Sequence, residues 1–525
     1  MDKEQTPTNT PQEIGGLSTD SKNEVRRLAE RYQKGQDLKA TGVNPYPYNF
    51  NQTNHAKDIL AKHKGLVAEQ HTGDIVRVAG RVVLLRSMGK AAFAHVQDET
   101  GKIQFYIRQD EVGEAMYASF KKVDMGDIVG LSGEIFATKT GEISIHAKEF
   151  TLLTKSVRDL PDKYHGIKDQ EIKYRYRYLD LMLNQDVKEV FTKRSAMVSA
   201  IREFFANQKI MEVETPLLQT QYGGANAKPF ITHINAWDMK MYLSISPELY
   251  LKRLIVGGFE RVYTICKNFR NEGVDHSHNP EFTMLEVYLA YQDYNAMMEL
   301  TEQLFDFVAR KINGTTKATI YFRDDKGQAQ PVEVDFKAPW PRKTTAQLIK
   351  EKLNVDILSS DEKTLRQFCS NNKITLAYDA TWGACVKAIF DELVEKTVIQ
   401  PTHVIDRPRE SSPLCKQHRE DERLIEQCEP IVAGMEIANM YSELNDPVRQ
   451  KKLLEEQSNQ LRGGDEEAHP MDEDFIRAIE YGMPPTGGLG IGIDRMAMLL
   501  TGQSTIKDVI LFPTVKPQVK DDVKE

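Results

Sequence analysis

The stretch from Arg261 to Tyr294, RVYTICKNFRNEGVDHSHNPEFTMLEVYLAYQDY, constrains the fold more than any other part of the chain. Two strand-like runs, VYTIC and FTMLEVYLAY, flank a polar connection carrying Asn, Gly and Pro, a pattern that predicts a long antiparallel hairpin. Arg270, Glu272, His278, Glu281, Phe282 and Glu286 lie in or beside its loop, more charge than a structural hairpin needs. An arginine at a strand end suits a phosphate, because its guanidinium fork meets two oxygens at once. An aromatic such as Phe282 can cover the face of a base. A surface hairpin with a solvated loop is the plainer alternative, and the rest of the chain decides between them.

With 525 residues the chain has room for two or three domains with real cores. No apolar run approaches a membrane span, and MDKEQTPTNTPQE lacks the apolar stretch of a secretory signal, so no membrane partner is expected. Five scattered cysteines (Cys266, Cys369, Cys385, Cys415, Cys428) fit a reduced, cytoplasmic compartment. No CxxC pair frames Cys415, His418 and Cys428, so no zinc is expected. A net charge of −8 argues against a coat for nucleic acid and leaves room for a local basic face.

Residues 1–20 read as a disordered tail. Over 21–65, Val25, Leu28, Ala29 and Tyr32 have helical spacing, Gly35 or Gly42 ends that helix, and NPYPYNF follows as an extended segment. The helix either packs with one solvated face or contacts RNA. Over 66–154 the period becomes that of strands. Five strands, with a helix Glu111–Lys122 between the third and fourth, predict an OB-fold barrel, often used on oligonucleotides. Ile103, Phe105 and Ile107 share one face, and Gln104, Tyr106 and Arg108 the other. Phe93 and His95 join the second set if burial fixes the register. There an aromatic beside amides and cations suits stacking on splayed bases; Phe93 as ordinary core is an equal alternative. A linker spans 155–185. The remainder, 186–525, opens with an amphipathic helix (Val190, Met197, Ile201, Phe204 or Phe205) and a strand through IMEVETPLLQ. Gly223 and Gly224 allow close backbone approach, and Ser246-Pro247 caps a helix with Glu248 in its first turn, where an acid by default serves the helix dipole.

A second centre is CEPIVAGMEIANMYSELND, two strand-like runs about a tight turn at Ala433-Gly434. A two-residue loop sets position 431 opposite 436 and 429 opposite 438. Glu429 and Glu436 then lie diagonally on one face, close enough for both to reach metal ions. Hard oxygen ligands in a phosphate site point to Mg²⁺. Asn439, Tyr441 and Glu443 alternate at period two, and a regular strand would turn them away from Glu436. A bulge near Ala438, or two separate polar layers, is therefore expected. The last centre, PPTGGLGIGIDRMAMLLTG, sets Gly487, Gly488, Gly490 and Gly492 before a helix with Arg495 in its first turn.

FRNEG…HNPEFTMLE closely resembles the second signature motif of class II aminoacyl-tRNA synthetases. The helix and strand ending at Pro216 resemble motif 1, and PPTGGLGIGIDR resembles motif 3. KAAFAHVQDETGKIQFYI resembles the anticodon-binding domain of the lysyl-tRNA synthetase family, and LPDKYHG…RYRYLDLM and RPRESSPLCKQHRED resemble other strings of that family, with Cys415 where an alanine is usual. The resemblance covers about Asn23 to Pro517. It implies an α+β architecture: an N-terminal OB-fold barrel, then a class II catalytic domain built on an antiparallel sheet flanked by helices, with an insertion at roughly 314–423 between motifs 2 and 3. The activity implied is ATP-dependent ligation of L-lysine to the 3′ end of tRNA(Lys) through a lysyl-adenylate, releasing AMP and pyrophosphate, by a homodimer joined through motif 1. Matched residue by residue, Arg270 and Arg495 are catalytic, and with Glu272, His278 and Phe282 they bind ATP. Glu429 and Glu436 hold Mg²⁺, two or three ions with ATP. Gly224, Glu248 and Glu286 surround the α-ammonium of lysine, Asn439 its carboxylate, Tyr441 its stem, and Tyr288 and Glu443 its side-chain ammonium. Phe93, Gln104 and, less directly, Glu142 read the anticodon. Aspartyl- or asparaginyl-tRNA synthetases share the architecture but need a cation or amide where this chain has Glu443. A catalytically dead relative that only binds RNA would not need Arg270, Arg495, Glu429 and Glu436.

Overall fold

The computed structural model describes residues 22–160, 169–323, 328–462 and 469–517. The expected N-terminal tail and residues 161–168 of the expected linker lie outside them. The chain divides into two compact units, residues 1–166 and 167–525.

In the first unit a helix, Lys22–Ala40, runs through Gly35 and stops before Gly42, whose φ of +80° no helix accepts. Strands β1 (His71–Met88), β2 (Ala91–Gln97), β3 (Lys102–Arg108), β4 (Ile128–Ala137) and β5 (Ile143–Thr154) close a barrel in the order β1-β2-β3-β5-β4. Alternation decides what faces inward: Ala92, Ala94 and Val96 of β2 and Ile103, Phe105 and Ile107 of β3 are buried in the barrel core. The expected single helix is two, Gln109–Val112 and Glu114–Phe120, because Gly113 at φ +86° interrupts it. The buried ammonium of Lys155 ties to Asp127 at 2.7 Å and Asp124 at 2.6 Å.

In the second unit the expected hairpin is Arg261–Phe269 with Glu281–Ala290, in register from Arg261↔Leu289 to Phe269↔Glu281. It lies in a nine-stranded sheet whose order is 342–344, 402–408, 424–432, 438–442, 486–492, 281–290, 261–269, 211–212, with 435–436 paired beside 424–432. Only the two outermost pairs are parallel. On one face Leu285, Val287, Leu289, Met440, Leu489 and Ile491 pack beneath helices Gln185–Asn207 and Tyr294–Asn313, which contribute Met197, Ile201, Phe205, Met297 and Phe305. Period two turns the residues between them, Glu286, Tyr288, Asn439, Tyr441, Gly488 and Gly490, to the opposite face.

Two features differ from the sequence reading. The strand expected through Pro216 is two fragments: Met211–Glu212 pairs with the hairpin, and Leu218–Gln219 belongs to a separate three-stranded sheet. Pro216 separates them and has no N–H to continue a ladder. Strands Arg342–Thr344 and Thr402–Pro408, inside the stretch read as an insertion, are part of the main sheet. The rest of that stretch is an antiparallel hairpin, Lys317–Arg323 with Ala329–Asp335, and three helices whose core (Ile349, Leu365, Phe390) meets the sheet at Val404 and Ile431.

Candidate active site

The open face of the sheet forms the floor of a cavity of about 410 Å³, and every residue matched above to ATP, lysine or metal lines it. The turn at Ala433 and Gly434 has φ of +51° and +67°, and sets Ile431 opposite Glu436 as expected. Further along, Cys428 pairs with Met440 and Gln427 with Tyr441, so one extra residue has entered the second strand. Ile437 is still in register, its N–H donating to Pro430 O, so the bulge falls between it and Met440, near Ala438 as expected. This insertion lets Glu436 and the Asn439–Tyr441–Glu443 row share the cavity, where a regular strand would divide them.

At the inner end, Tyr288 and Tyr441 flank Gly488, and Glu286 and Asn439 flank Gly490, on the two neighbouring strands. A methyl group on Gly488 would come within 1.8 Å of Glu443 Oε1 and 2.7 Å of the Tyr288 ring, so glycine makes the space these side chains occupy. Glu248, Glu286 and Glu443 are all buried here. Ser246 Oγ donates to Glu286 Oε1 at 2.9 Å and accepts from the Glu248 N–H at 3.1 Å. Burial, with the charge of Glu248 beside it, pushes Glu286 up to about 8. Burial also pushes Glu443 up to about 8 against the pull of Lys252, which was not singled out from the sequence. Gly224 has φ +87°, a conformation other residues resist, and a methyl group there would come within 2.9 Å of Ser246 and Glu248.

At the outer end, the Arg270 guanidinium lies 5.2 Å from the Phe282 ring centroid, and its Nε donates to Ile245 O at 3.4 Å. It forms no ion pair with any described residue, although burial depresses its pKa. Arg495 donates to the backbone oxygen of Glu436 and meets His278 Nε2 at 3.2 Å. His278 Nδ1 in turn lies 2.9 Å from Asp275, whose carboxyl is held well below its usual range by the loop N–H groups and the imidazole. Glu272 sits exposed on the same loop. Glu429 pairs with Arg407 Nε at 3.1 Å and accepts from Gln427 Nε2 at 3.0 Å. Burial pushes its carboxyl up to about 7, opposed by Arg407 and aided by the charge of Glu436. A cation between Glu429 and Glu436 would relieve that repulsion. Among the described residues no three or more His, Cys, Asp or Glu side chains form a metal cage. Two carboxylates plus the oxygens of a bound phosphate are a normal Mg²⁺ arrangement. Sequence reasoning missed Arg407, whose place in RPRESSP gave no sign of its partner.

In the barrel unit, Phe93 is half-buried on the outer face with its ring 4.6 Å from that of Tyr106, while its neighbours Ala92 and Ala94 fill the core. Gln104 Nε2 donates to Glu142 Oε2 at 2.9 Å, and Ser144 Oγ donates to Gln104 Oε1 at 2.9 Å. His95 meets Glu142 Oε1 at 2.8 Å. The three residues matched to the anticodon thus share one patch, and Tyr106, His146, Phe136 and His71 continue a run of rings 5.3 to 5.8 Å apart across it.

A catalytic unit with an antiparallel sheet, an arginine-bearing hairpin and a glycine strand leading into a second arginine defines a class of enzyme. The family described as tRNA synthetases class II (D, K and N) matches residues 169–516, and an OB-fold nucleic acid binding domain matches 76–153. The chain belongs to the class II tRNA synthetases, in their lysyl branch. It is 49% identical over 504 residues to a lysine–tRNA ligase of Thermoanaerobacter pseudethanolicus, covering 95% of this chain and 98% of that one. A lysine–tRNA ligase of Clostridium novyi is 48% identical over 517 residues (97% and 98%), and one of Thermotoga maritima 49% over 491 (93% and 96%). No helix among the described residues is long and apolar enough to cross a membrane.

Proposed function

We propose that the chain joins L-lysine to the 3′ end of tRNA(Lys) in two steps in the cytoplasm. The lysine carboxylate attacks the α-phosphorus of ATP, pyrophosphate leaves, and a lysyl-adenylate results. The terminal ribose hydroxyl of tRNA then attacks the lysyl carbonyl and displaces AMP, with release of one proton. The observation that carries the lysine assignment is the buried carboxylate of Glu443, whose Oε1 has no hydrogen-bond partner among the described residues and faces the cavity. An ammonium satisfies such a group in both hydrogen bond and charge; an apolar side chain leaves it unpaired, and a neutral donor leaves its charge uncompensated.

The first step requires no side chain to gain or lose a proton, because the lysine carboxylate is already an anion. The protein's part is then alignment and charge stabilisation. Arg270, which forms no ion pair with a described residue, is placed to hold the α-phosphate, and Phe282 and Arg495 to enclose the adenine and the phosphate tail. Glu272 and His278 order the nucleotide from the hairpin loop. Glu429 and Glu436 are the residues that would hold Mg²⁺, which when bound neutralises charge on the phosphates. Glu248, Glu286 and Gly224 receive the α-ammonium, Asn439 the carboxylate, and Tyr441 and Tyr288 line the stem and head of the side chain. Phe93, Gln104 and Glu142 take the anticodon. Two copies pair through the helix Gln185–Asn207 and the segment after it, where Met211 and Leu218 are 52% and 50% exposed in the single chain.

One observation favours a second reading: Lys252 is a buried cation just behind the inner end of the cavity, where an aspartate-specific pocket would need a cation. It is already bracketed by Glu248 and Glu443, which leaves that end anionic. Amino-acid-dependent ATP–pyrophosphate exchange, run with each standard amino acid in turn, tests the assignment: lysine alone should support exchange, and exchange with aspartate or asparagine would overturn it.

A further inference from the structure

Lys252 has no role in the chemistry above, yet it is a charge buried behind the cavity wall that Glu248 and Glu443 help to form. It lies one turn after Glu248 on the helix Glu248–Val256, and its side chain is wholly buried. Lysines normally bury the stem and keep the ammonium in water. Here the ammonium lies 2.6 Å from Glu248 Oε1 and 2.5 Å from Glu443 Oε2, with the Phe475 ring 5.9 Å away. A buried ammonium carries a heavy desolvation penalty unless close partners offset it, and these two do. The pairing is also asymmetric. Lys252 holds one oxygen of Glu443, while the other, Oε1, lies against Gly488 with no hydrogen-bond partner among the described residues.

The charges at this end form a simple account. Glu248, Glu286 and Glu443 bring three carboxylates and Lys252 one ammonium, so the pocket in its fully ionised form is complemented by a molecule bearing two ammonium groups. Resting on the reading that Glu443 receives the side-chain ammonium of lysine, we propose that Lys252 is a specificity-determining positioning residue. It fixes Glu248 and Glu443 in place, favours the ionised form of Glu443 against burial, and so draws the pocket's charge toward a match for the two ammonium groups of the substrate.

The groups facing Glu443 support a unique part for Lys252. From the helix come Lys252 and Glu248, from the hairpin strand Tyr288, from the bridge opposite it Cys415, and from the residues just before it Tyr441. Burial holds Cys415, Tyr288 and Tyr441 in their neutral forms. His469, which also lines the cavity, is pushed down to about 4 by burial and by the charge of Lys252, and stays neutral. Among these groups Lys252 is the one cation. Without it, burial and Glu248 both drive Glu443 toward its protonated form.

The test measures the KM for lysine in ATP–pyrophosphate exchange from pH 7 to pH 9 for wild type, Lys252→Met and Glu443→Gln, with the KM for ATP and thermal unfolding alongside. Should Lys252→Met fail to fold, Lys252→Gln, which still donates to one carboxylate, takes its place. The expected result for Lys252→Met is a lysine KM raised about a hundredfold at pH 7, narrowing to about tenfold of wild type by pH 9 as Glu443 ionises, each tenfold reflecting one unit in the pKa of Glu443. The KM for ATP should stay within about threefold, and Glu443→Gln should bind lysine weakly at every pH. If Glu443→Gln binds lysine as wild type does, the reading of the pocket is wrong and this inference falls with it. If Glu443→Gln loses lysine but the Lys252 variant keeps wild-type affinity, or loses affinity equally at every pH while melting lower, Lys252 is a structural ion pair and the inference alone is overturned.

Discussion

Gly488 stands in the middle of strand Thr486–Gly492, paired to Tyr288 on one side and Tyr441 on the other. Its backbone is not in the left-handed region, so alanine can adopt its conformation, and only space opposes the change. That space is taken. The new methyl carbon would lie 1.8 Å from Glu443 Oε1 and 2.7 Å from the Tyr288 ring. A carboxylate at the end of a free side chain would swing away cheaply, but Lys252 holds this one at 2.5 Å, and Tyr288 OH is tied to Glu286 at 3.3 Å. Forcing one carbon into a packed site costs roughly 1–3 kcal/mol. Since 1.4 kcal/mol is a factor of ten, Gly488→Ala should raise the lysine KM by roughly five- to a hundred-and-fortyfold. The outer end of the cavity is untouched, so the KM for ATP should hold. Exchange assays titrated with lysine and then with ATP, beside a melting curve, make the measurement. A lysine KM within about twofold of wild type in a folded protein would refute the argument that glycine is needed there to make room for Glu443.

Three further outcomes follow from the same geometry. Phe93→Ala should lower tRNA charging about tenfold or more, since stacking on a base is worth roughly 1–3 kcal/mol. Exchange without tRNA should be unchanged, and the melting temperature should move little because the ring lies outside the barrel core; a sharp drop in melting temperature would return Phe93 to the core. Replacing Glu429 and Glu436 together by Gln should abolish exchange in a folded protein, and exchange retained at ordinary Mg²⁺ would make them structural. Glu286 and Glu443, both raised to about 8, are protonated over a growing fraction as pH falls below that value, and only the ionised forms hold an ammonium. The lysine KM should therefore fall as pH rises from 6 toward 8, while that for ATP changes less; a flat lysine profile would contradict the raised carboxylates.

What the sequence made legible was local. Periodicity gave the hairpin, and parity gave the bulge: Glu436 and Asn439 cannot share a face of a regular strand, and the extra residue between Ile437 and Met440 resolves that conflict. The same parity argument separated Phe105 from Tyr106, and pairing of Phe93 with Tyr106 then settled the outer face. What escaped depended on contacts between distant segments. Lys252 reads as an ordinary member of YLKRL, and although its spacing from Glu248 was visible, its approach to Glu443 exists only once helix and sheet have packed. Arg407 likewise acquires meaning only beside Glu429. The strand through Pro216 was over-extended because apolar residues continue past the point where the chain leaves the sheet, and Leu217 and Leu218 remain exposed there.

The most direct measurement of the central claim is aminoacylation of unfractionated tRNA by the purified chain, with each amino acid supplied in turn, followed by sequencing of the charged species. The account predicts a lysyl ester at the 3′ terminus of tRNAs bearing lysine anticodons and of no others. An aspartyl or asparaginyl ester, or lysine-dependent exchange without any lysyl-tRNA, would contradict it.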